Sequence, residues 1–256
     1  MHERYVELHA HSCFSLLDGA VTPEVLLDQA QALGLQALAL TDHDGLYGAV
    51  RFYLAARQRG ILPIIGAELT IAADSSFPMS SHLVLLAEDR RGYRNLCWLI
   101  SRGQLAGQKG HPQLSLAQFA GRTAGLIALT ACPRGRVTAH LRARATDQAL
   151  ATLQALKELF GPQSVYVELQ QHLHPDDAAL AAALADLARR LPLDELRRSE
   201  HRENIAQRLP VHRPDESHTT PSRQNNLNPT QRPVHRRQIE YLARRSIRCD
   251  SHRHED

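Results

Sequence analysis

The chain is 256 residues long, with 43% hydrophobic and 22% charged residues and a formal charge of +3. That is the length of one large or two small domains, and the composition excludes a fibrous chain or one disordered throughout. No run approaches the ~18 apolar residues of a membrane span, and the first residues lack the basic and apolar segments of a secretory signal, so a cytoplasmic protein is expected. The four cysteines, Cys13, Cys97, Cys132 and Cys249, form no CxxC pair, which argues against a disulfide framework or a zinc ribbon.

Short apolar runs alternate with helical patterns from Tyr5 to about Leu191, the signature of repeated β-α units around a parallel sheet. Tyr5 to His9 is the first strand candidate. Thr22-Pro23-Glu24 then supplies an N-cap, a proline at the first helical position and an early acid for a helix over Val25 to Leu33. Further strands are expected at 36–40, 62–69, 83–87, 126–130 and 165–169, and helices at 49–59, 92–105, 146–160 and 175–190. Six strands are close to a closed barrel and short of one, so a final strand or two is expected after Leu191.

Residues 192–256 read differently. They contain no glycine and carry 13 of the 30 lysines and arginines, with many His, Pro, Asn and Gln residues. Such a segment buries too little apolar surface to offset its ordering entropy, and disorder is expected there apart from a short helix near 237–245. The same enrichment is what an out-of-frame translation of a GC-rich gene would give; comparison of the three reading frames beyond the Leu191 codon tests this.

Candidate chemistry gathers at the ends of strands. His9-Ala10-His11 places two imidazoles on one face at the end of the first strand, where both can reach one metal. The second strand ends in Thr41-Asp42-His43-Asp44 and the third in Gly66-Ala67-Glu68. Singly, such residues are more often helix caps, turn formers or solvated termini; three successive strand ends of this type favour ligands. Asp18, in an Asp-Gly dipeptide, is equally a turn residue. His82 opens its strand instead of closing it, which fits a barrel mouth less well. Cys132, His172 and His174 follow later strands, and Cys13 and Cys97 read as packing residues. Mixed imidazole and carboxylate ligands suit zinc, manganese or iron, and clustered ions suit phosphoester hydrolysis. No GxxxxGK[ST], GxSxG or HExxH occurs, which sets aside P-loop, serine-hydrolase and zincin chemistry.

The segments LHAHSCFSLLDGA, ALALTDHDGLYGAVRFY, ILPIIGAEL, HLVLLAEDRRGYRNLCWLISRGQLAG and VYVELQQH together resemble, in order, the PHP (polymerase and histidinol phosphatase) domain at the N-terminus of bacterial C-family DNA polymerases, the polymerase III alpha subunits. TDHDGLYG and the Lys109-Gly110-His111-Pro112 segment look most like the error-prone branch. The resemblance covers residues 5–191. It implies a distorted (β/α)7 TIM-like barrel as residues 1–191, lacking its last strand, followed by the tail. It also implies a cluster of up to three divalent ions on His9, His11, Asp18, His43, Glu68, His82 and Cys132. Family members complete the cluster with D-x-H or N-x-H on the last strand. That motif is missing after Leu191, and Asp250-Ser251-His252 has the wrong context, so at least one ion site should be incomplete.

The parent role implied is DNA replication and damage-tolerant repair synthesis by a nucleotidyltransferase. The polymerase regions lie beyond this length, so the chain itself is expected to be at most a metal-dependent phosphodiester hydrolase of 3′–5′ exonuclease character, with single-stranded DNA 3′ ends as partner and no membrane. The alternatives are a non-catalytic structural remnant, a stand-alone phosphatase on a small phosphate monoester, and a nucleic-acid binder using the tail.

Overall fold

The computed structural model describes residues 5–130, 133–170 and 175–191 in full and the backbone of 194–197. Cys132, His172, His174, the expected helix near 237–245 and Asp250-Ser251-His252 lie outside the described residues.

Among the described residues six strands form one sheet in sequence order: β1 (Ala37–Leu40), β2 (Leu62–Ile71), β3 (Ser81–Ala87), β4 (Leu126–Leu129), β5 (Val165–Leu169) and β6 (Asp194–Arg197). The helices are α1 (Pro23–Ala32), α2 (Ala49–Gln58), α3 (Arg90–Ala106), α4 (Arg136–Arg142), α5 (Thr146–Phe160) and α6 (Asp177–Arg190). The Thr22 backbone is extended before Pro23 at the first turn of α1, but its hydroxyl does not cap the helix. At seven residues, α4 is too short for periodicity to reveal, and sequence reading missed it.

The sheet departs from the all-parallel expectation at one strand. β3 runs antiparallel to both β2 and β4, while the β1–β2, β4–β5 and β5–β6 pairs are parallel. The reason is connection length. Residues 72–80 join β2 to β3, too few for the ~10–12-residue crossover that a parallel neighbour needs. The first segment also differs: it forms no strand of its own but lies along β1 through the Glu7–Leu38 bridge and the bonds Ala39 N–H to Glu7 O and Thr41 N–H to Ala10 O. At the far edge, β6 extends the ordered pairing past the Leu191 boundary that composition suggests. Its backbone pairs with β5 from Tyr166–Asp194 to Leu169–Arg197, because ladder hydrogen bonds do not require apolar side chains.

Strand alternation divides the apolar residues between two faces. Val6, Leu8, Ala39, Ile64, Val84, Leu86, Ile127, Leu129 and Tyr166 meet in one cluster. A face shared by the first segment and five successive strands means that the sheet is curled. The opposite face receives the helices, with Leu96 and Leu99 of α3, Leu153 of α5 and Leu187 of α6 packed on Leu69, Leu85 and Val167, and α1 and α2 packed around Phe52. The inner parity of β2, β3 and β5 continues from Ile64, Val84 and Tyr166 to Glu68, His82 and Glu168. These three polar residues therefore project from the concave face.

Candidate metal centre

The antiparallel course of β3 resolves the position of His82. In a reversed strand the first residues lie at the same rim as the last residues of its neighbours, so His82, paired with Thr70, comes beside Glu68. His43 reaches the same rim through its parallel bridge to Glu68. His9 and His11 arrive along β1.

Glu68 is the hub, with no exposed surface. Its Oε2 lies 3.1 Å from His9 Nε2, 3.0 Å from His11 Nε2 and 3.6 Å from His43 Nδ1, and its Oε1 lies 2.8 Å from His82 Nδ1. Asp18 stands at the mouth, its side chain 53% exposed, with Oδ2 3.1 Å from His11 Nδ1 and 2.8 Å from His43 Nε2. Six of the seven expected ligands thus converge; Cys132 is the one outside the described residues.

Local chemistry builds the loop that carries Asp18. Asp42, 2% exposed, accepts hydrogen bonds from the Ser12 amide, the Ser12 hydroxyl and the Ser15 hydroxyl. Asp18 and Gly19 close a turn onto Ser15 O. A Cβ on Gly19 would fall 1.8 Å from Ser12 O, so only glycine fits. Asp44, at φ +49, accepts from the Thr70 amide and hydroxyl. Asp42 and Asp44 therefore organise the rim, in keeping with the turn-forming alternative for them, while His43 of the same segment reaches the cluster.

Sequence reading missed Glu168. It is buried on β5 and its two oxygens lie 2.9 and 3.1 Å from His9 Nδ1. The Thr130 hydroxyl accepts from its amide N–H, and the Gln170 amide donates to Oε1. The available signal was an acid in the otherwise apolar run VYVEL, at the parity of the inner face. Glu168 holds the Nδ1 proton of His9 and leaves Nε2 directed at Glu68, the arrangement by which carboxylates orient metal-binding histidines.

The electrostatics are those of a site built for cations. Burial alone would lower the His9 pKa, but the Glu168 and Glu68 carboxylates outweigh it and raise it to about 10. Burial would likewise lower the His11 pKa, but the Asp18 hydrogen bond and the neighbouring Glu68 carboxylate outweigh it, and the pKa is raised. Asp18 is held below the ordinary carboxylate range by its hydrogen bonds to His11 and His43. Glu68 is held well below it against its burial, by His9, His11 and His82. At neutral pH His9 is thus held positively charged between two carboxylates.

The donor set fits divalent metal. Three groups, His9–His11–Glu68, His11–Asp18–His43 and His43–Glu68–His82, each bring one ligand atom per residue within 4.8 Å of the others. His11 Nε2, near Glu68 but off the hydrogen-bond direction, is buried without a hydrogen-bond partner. A buried imidazole nitrogen left in that state calls for a partner, and a cation supplies one. Replacing Glu168 by Ala frees the His9 ring, and chelator competition should then show metal affinity about 10- to 100-fold weaker. Unchanged affinity would remove Glu168 from this role.

The chain matches the PHP domain family over residues 7–172. It is 44% identical over 192 residues to an error-prone DNA polymerase of Mycobacterium bovis, covering 73% of this chain and 18% of the relative. It is 35% identical over 216 residues to a DNA polymerase III subunit alpha of Treponema pallidum, covering 79% of this chain and 18% of the relative. The chain thus spans under a fifth of the length of these relatives. A crystal structure from Bifidobacterium adolescentis, assigned as a metal-dependent phosphoesterase, superposes with a TM-score of 0.57 at 15% identity, covering 96% of this chain and 98% of the other. An amidohydrolase from Chromobacterium violaceum gives 0.50 at 20% identity, covering 94% and 96%. At such identities the likeness extends to the fold.

Proposed function

The chain belongs to the PHP domain family, and from that premise we propose that its rim cluster is a divalent-metal phosphoesterase site acting on the terminal phosphodiester of a DNA 3′ end. The observation that carries this reading is the convergence of six ligand-type side chains in three overlapping groups, two of which share Glu68. His9, His11 and Glu68 would hold one ion, His11, Asp18 and His43 a second, and His43, Glu68 and His82 a third, with zinc, manganese or iron suiting the donors.

Bound there, divalent ions lower the pKa of water and neutralise phosphodiester charge. The chain's own part is placement. Glu68 supplies a buried negative charge from the most enclosed point of the cluster, so its two oxygens address different histidines. Glu168 fixes the His9 ring through Nδ1, and Asp42 fixes the loop that brings Asp18 to the open side. Asp18 is accordingly the ligand that an incoming phosphate meets first.

The parent implied is an error-prone, polymerase-III-alpha-like protein of the cytoplasm, with roles in DNA replication and repair synthesis. Among the described residues no helix is long and apolar enough to cross a membrane. A second reading, a non-catalytic support for the polymerase, is favoured by one observation. The sequence of β6 is Asp-Glu-Leu-Arg, without the D-x-H pattern of the resemblance.

Elemental analysis of the purified chain beside His9→Ala/His43→Ala separates the two. Two or more ions per chain that vanish in the double variant, with metal-dependent release of nucleotides from a 3′ end, are expected. Metal-free protein, or metal-loaded protein that releases no nucleotide with Mn or Zn, would sink the hydrolytic reading.

A further inference from the structure

We propose that an arginine-lined flank of α3 is a binding track for a single-stranded polynucleotide, running toward the metal-centre rim. Its seventeen residues, RRGYRNLCWLISRGQLA, include four arginines and no acid. Leu96 and Leu99 turn inward to the core. Along one flank of the helix Arg91, Arg94, Trp98 and Arg102 follow one another at three- and four-residue steps, which places them in one stripe, with Trp98 also resting against the core. The three arginines are exposed and Trp98 is half-buried.

Trp98 joins this stripe to a second segment. The guanidinium of Arg102 lies 5.7 Å from its ring centroid and that of Arg122, from the turn before β4, lies 4.4 Å away. Two cations are therefore held against one indole, each gaining from the ring and opposed by the other. Among the described residues, none of Arg91, Arg94, Arg102 and Arg122 has an ion pair with a carboxylate; Arg51, Arg59 and Arg136, elsewhere in the chain, all do. A run of uncompensated guanidiniums arranged around an aromatic ring fits a chain of phosphates with bases to stack.

The direction of the track is set by one contact. The Gln104 side-chain amide donates to Asp44 O, the residue after His43. The C-terminal end of α3 thus abuts the metal-centre rim, and Arg102 is the stripe arginine nearest to it. From Arg91 to Arg102 the stripe covers about 17 Å at 1.5 Å per residue, enough for a few nucleotides. An acidic protein could satisfy the charges but would leave the exposed part of the indole without a stacking partner.

The proposal concerns binding and does not require that the cluster hydrolyse anything, so the test is run in chelator. Trp98 is the only tryptophan in the chain, and its emission reports this face even if the arginine-rich segment after Leu191 also binds. Titration of the full chain with an oligothymidylate of about twelve nucleotides should quench Trp98 emission. The salt dependence of binding should include up to four counterions, at about 0.7 per phosphate contact in the slope of log K against log salt.

Arg94→Gln/Arg102→Gln should reduce that slope by about 1.4 and weaken the quenching titration about tenfold. Arg189→Gln/Arg190→Gln on α6 should leave both unchanged, and melting curves confirm that each variant is folded. Oligothymidylate that leaves Trp98 emission unchanged, equal losses in the α6 variant, or quenching reproduced by polyglutamate at the same concentration would each overturn the proposal. Loss of nucleotide release with this quenching intact would bear on the metal centre alone.

Discussion

Glu68→Gln is expected to strip the rim cluster of most of its metal. Glu68 belongs to two of the three ligand groups, with His9 and His11 in one and His43 and His82 in the other. The amide keeps the shape but loses the charge, and it turns one oxygen acceptor into a donor facing imidazole nitrogens 2.8–3.1 Å away. Elemental analysis should show at least two ions lost, with only the His11–Asp18–His43 group keeping its full donor set. Nucleotide release from a 3′ end should fall by about 10³-fold, equivalent to about 4 kcal/mol of lost charge stabilisation. Asp18→Asn provides the contrast. It touches one group, at the exposed mouth, and should cost one ion. A Glu68→Gln protein with full metal content would show that Glu68 is not the hub.

Gly92→Ala is expected to be among the most damaging single methyls in the fold. Gly92 lies in the first turn of α3, where its amide donates to Asp89 Oδ1. A Cβ there would sit 1.8 Å from Gly125 O and 2.5 Å from Gly125 C. That carbonyl is not free to withdraw, because it accepts the Glu88 amide, while the neighbouring Ala124 carbonyl accepts from the Asn95 side chain. Gly125 itself holds φ +77. Backbone meets backbone, so relief requires moving α3 away from the turn that feeds β4. The cost should be about 3 kcal/mol or more, read as a melting temperature lower by roughly 6–12 °C for a folded unit of this size. Because α3 also carries the arginine stripe and the Gln104 contact, metal content and oligonucleotide binding should fall together in this variant. A melting temperature within a degree or two of the wild type would show that the two backbones can separate at little cost.

The two variants act on different levels of the molecule, and the sequence revealed those levels unequally. Apolar runs and helix signals placed five of the six described strands and five of the six described helices within a few residues, because both follow from local periodicity and end chemistry. His9, His11, His43 and Glu68 were legible for the same reason: each stands at the end of a local element where a barrel presents its chemistry. Asp18 was ambiguous because Asp-Gly closes a turn whether or not the carboxylate has a second use, and here it does both.

What the sequence by itself determined is the local grammar: which stretches become strand or helix, which strand ends carry imidazoles and carboxylates, and the family they resemble. The tertiary structure decided the rest. Strand direction depends on how long a connection is and on what it packs against, so His82 looked misplaced until the reversed course of β3 brought it to the shared rim. Glu168 gave no local motif, since its role depends on an imidazole 159 positions earlier in the chain. The joining of Trp98 with Arg102 and Arg122 across two segments is likewise a product of packing. Local propensity acts through neighbours in sequence, whereas a buried charge or a stacked cation is stabilised by whatever the folded chain places within a few ångströms of it.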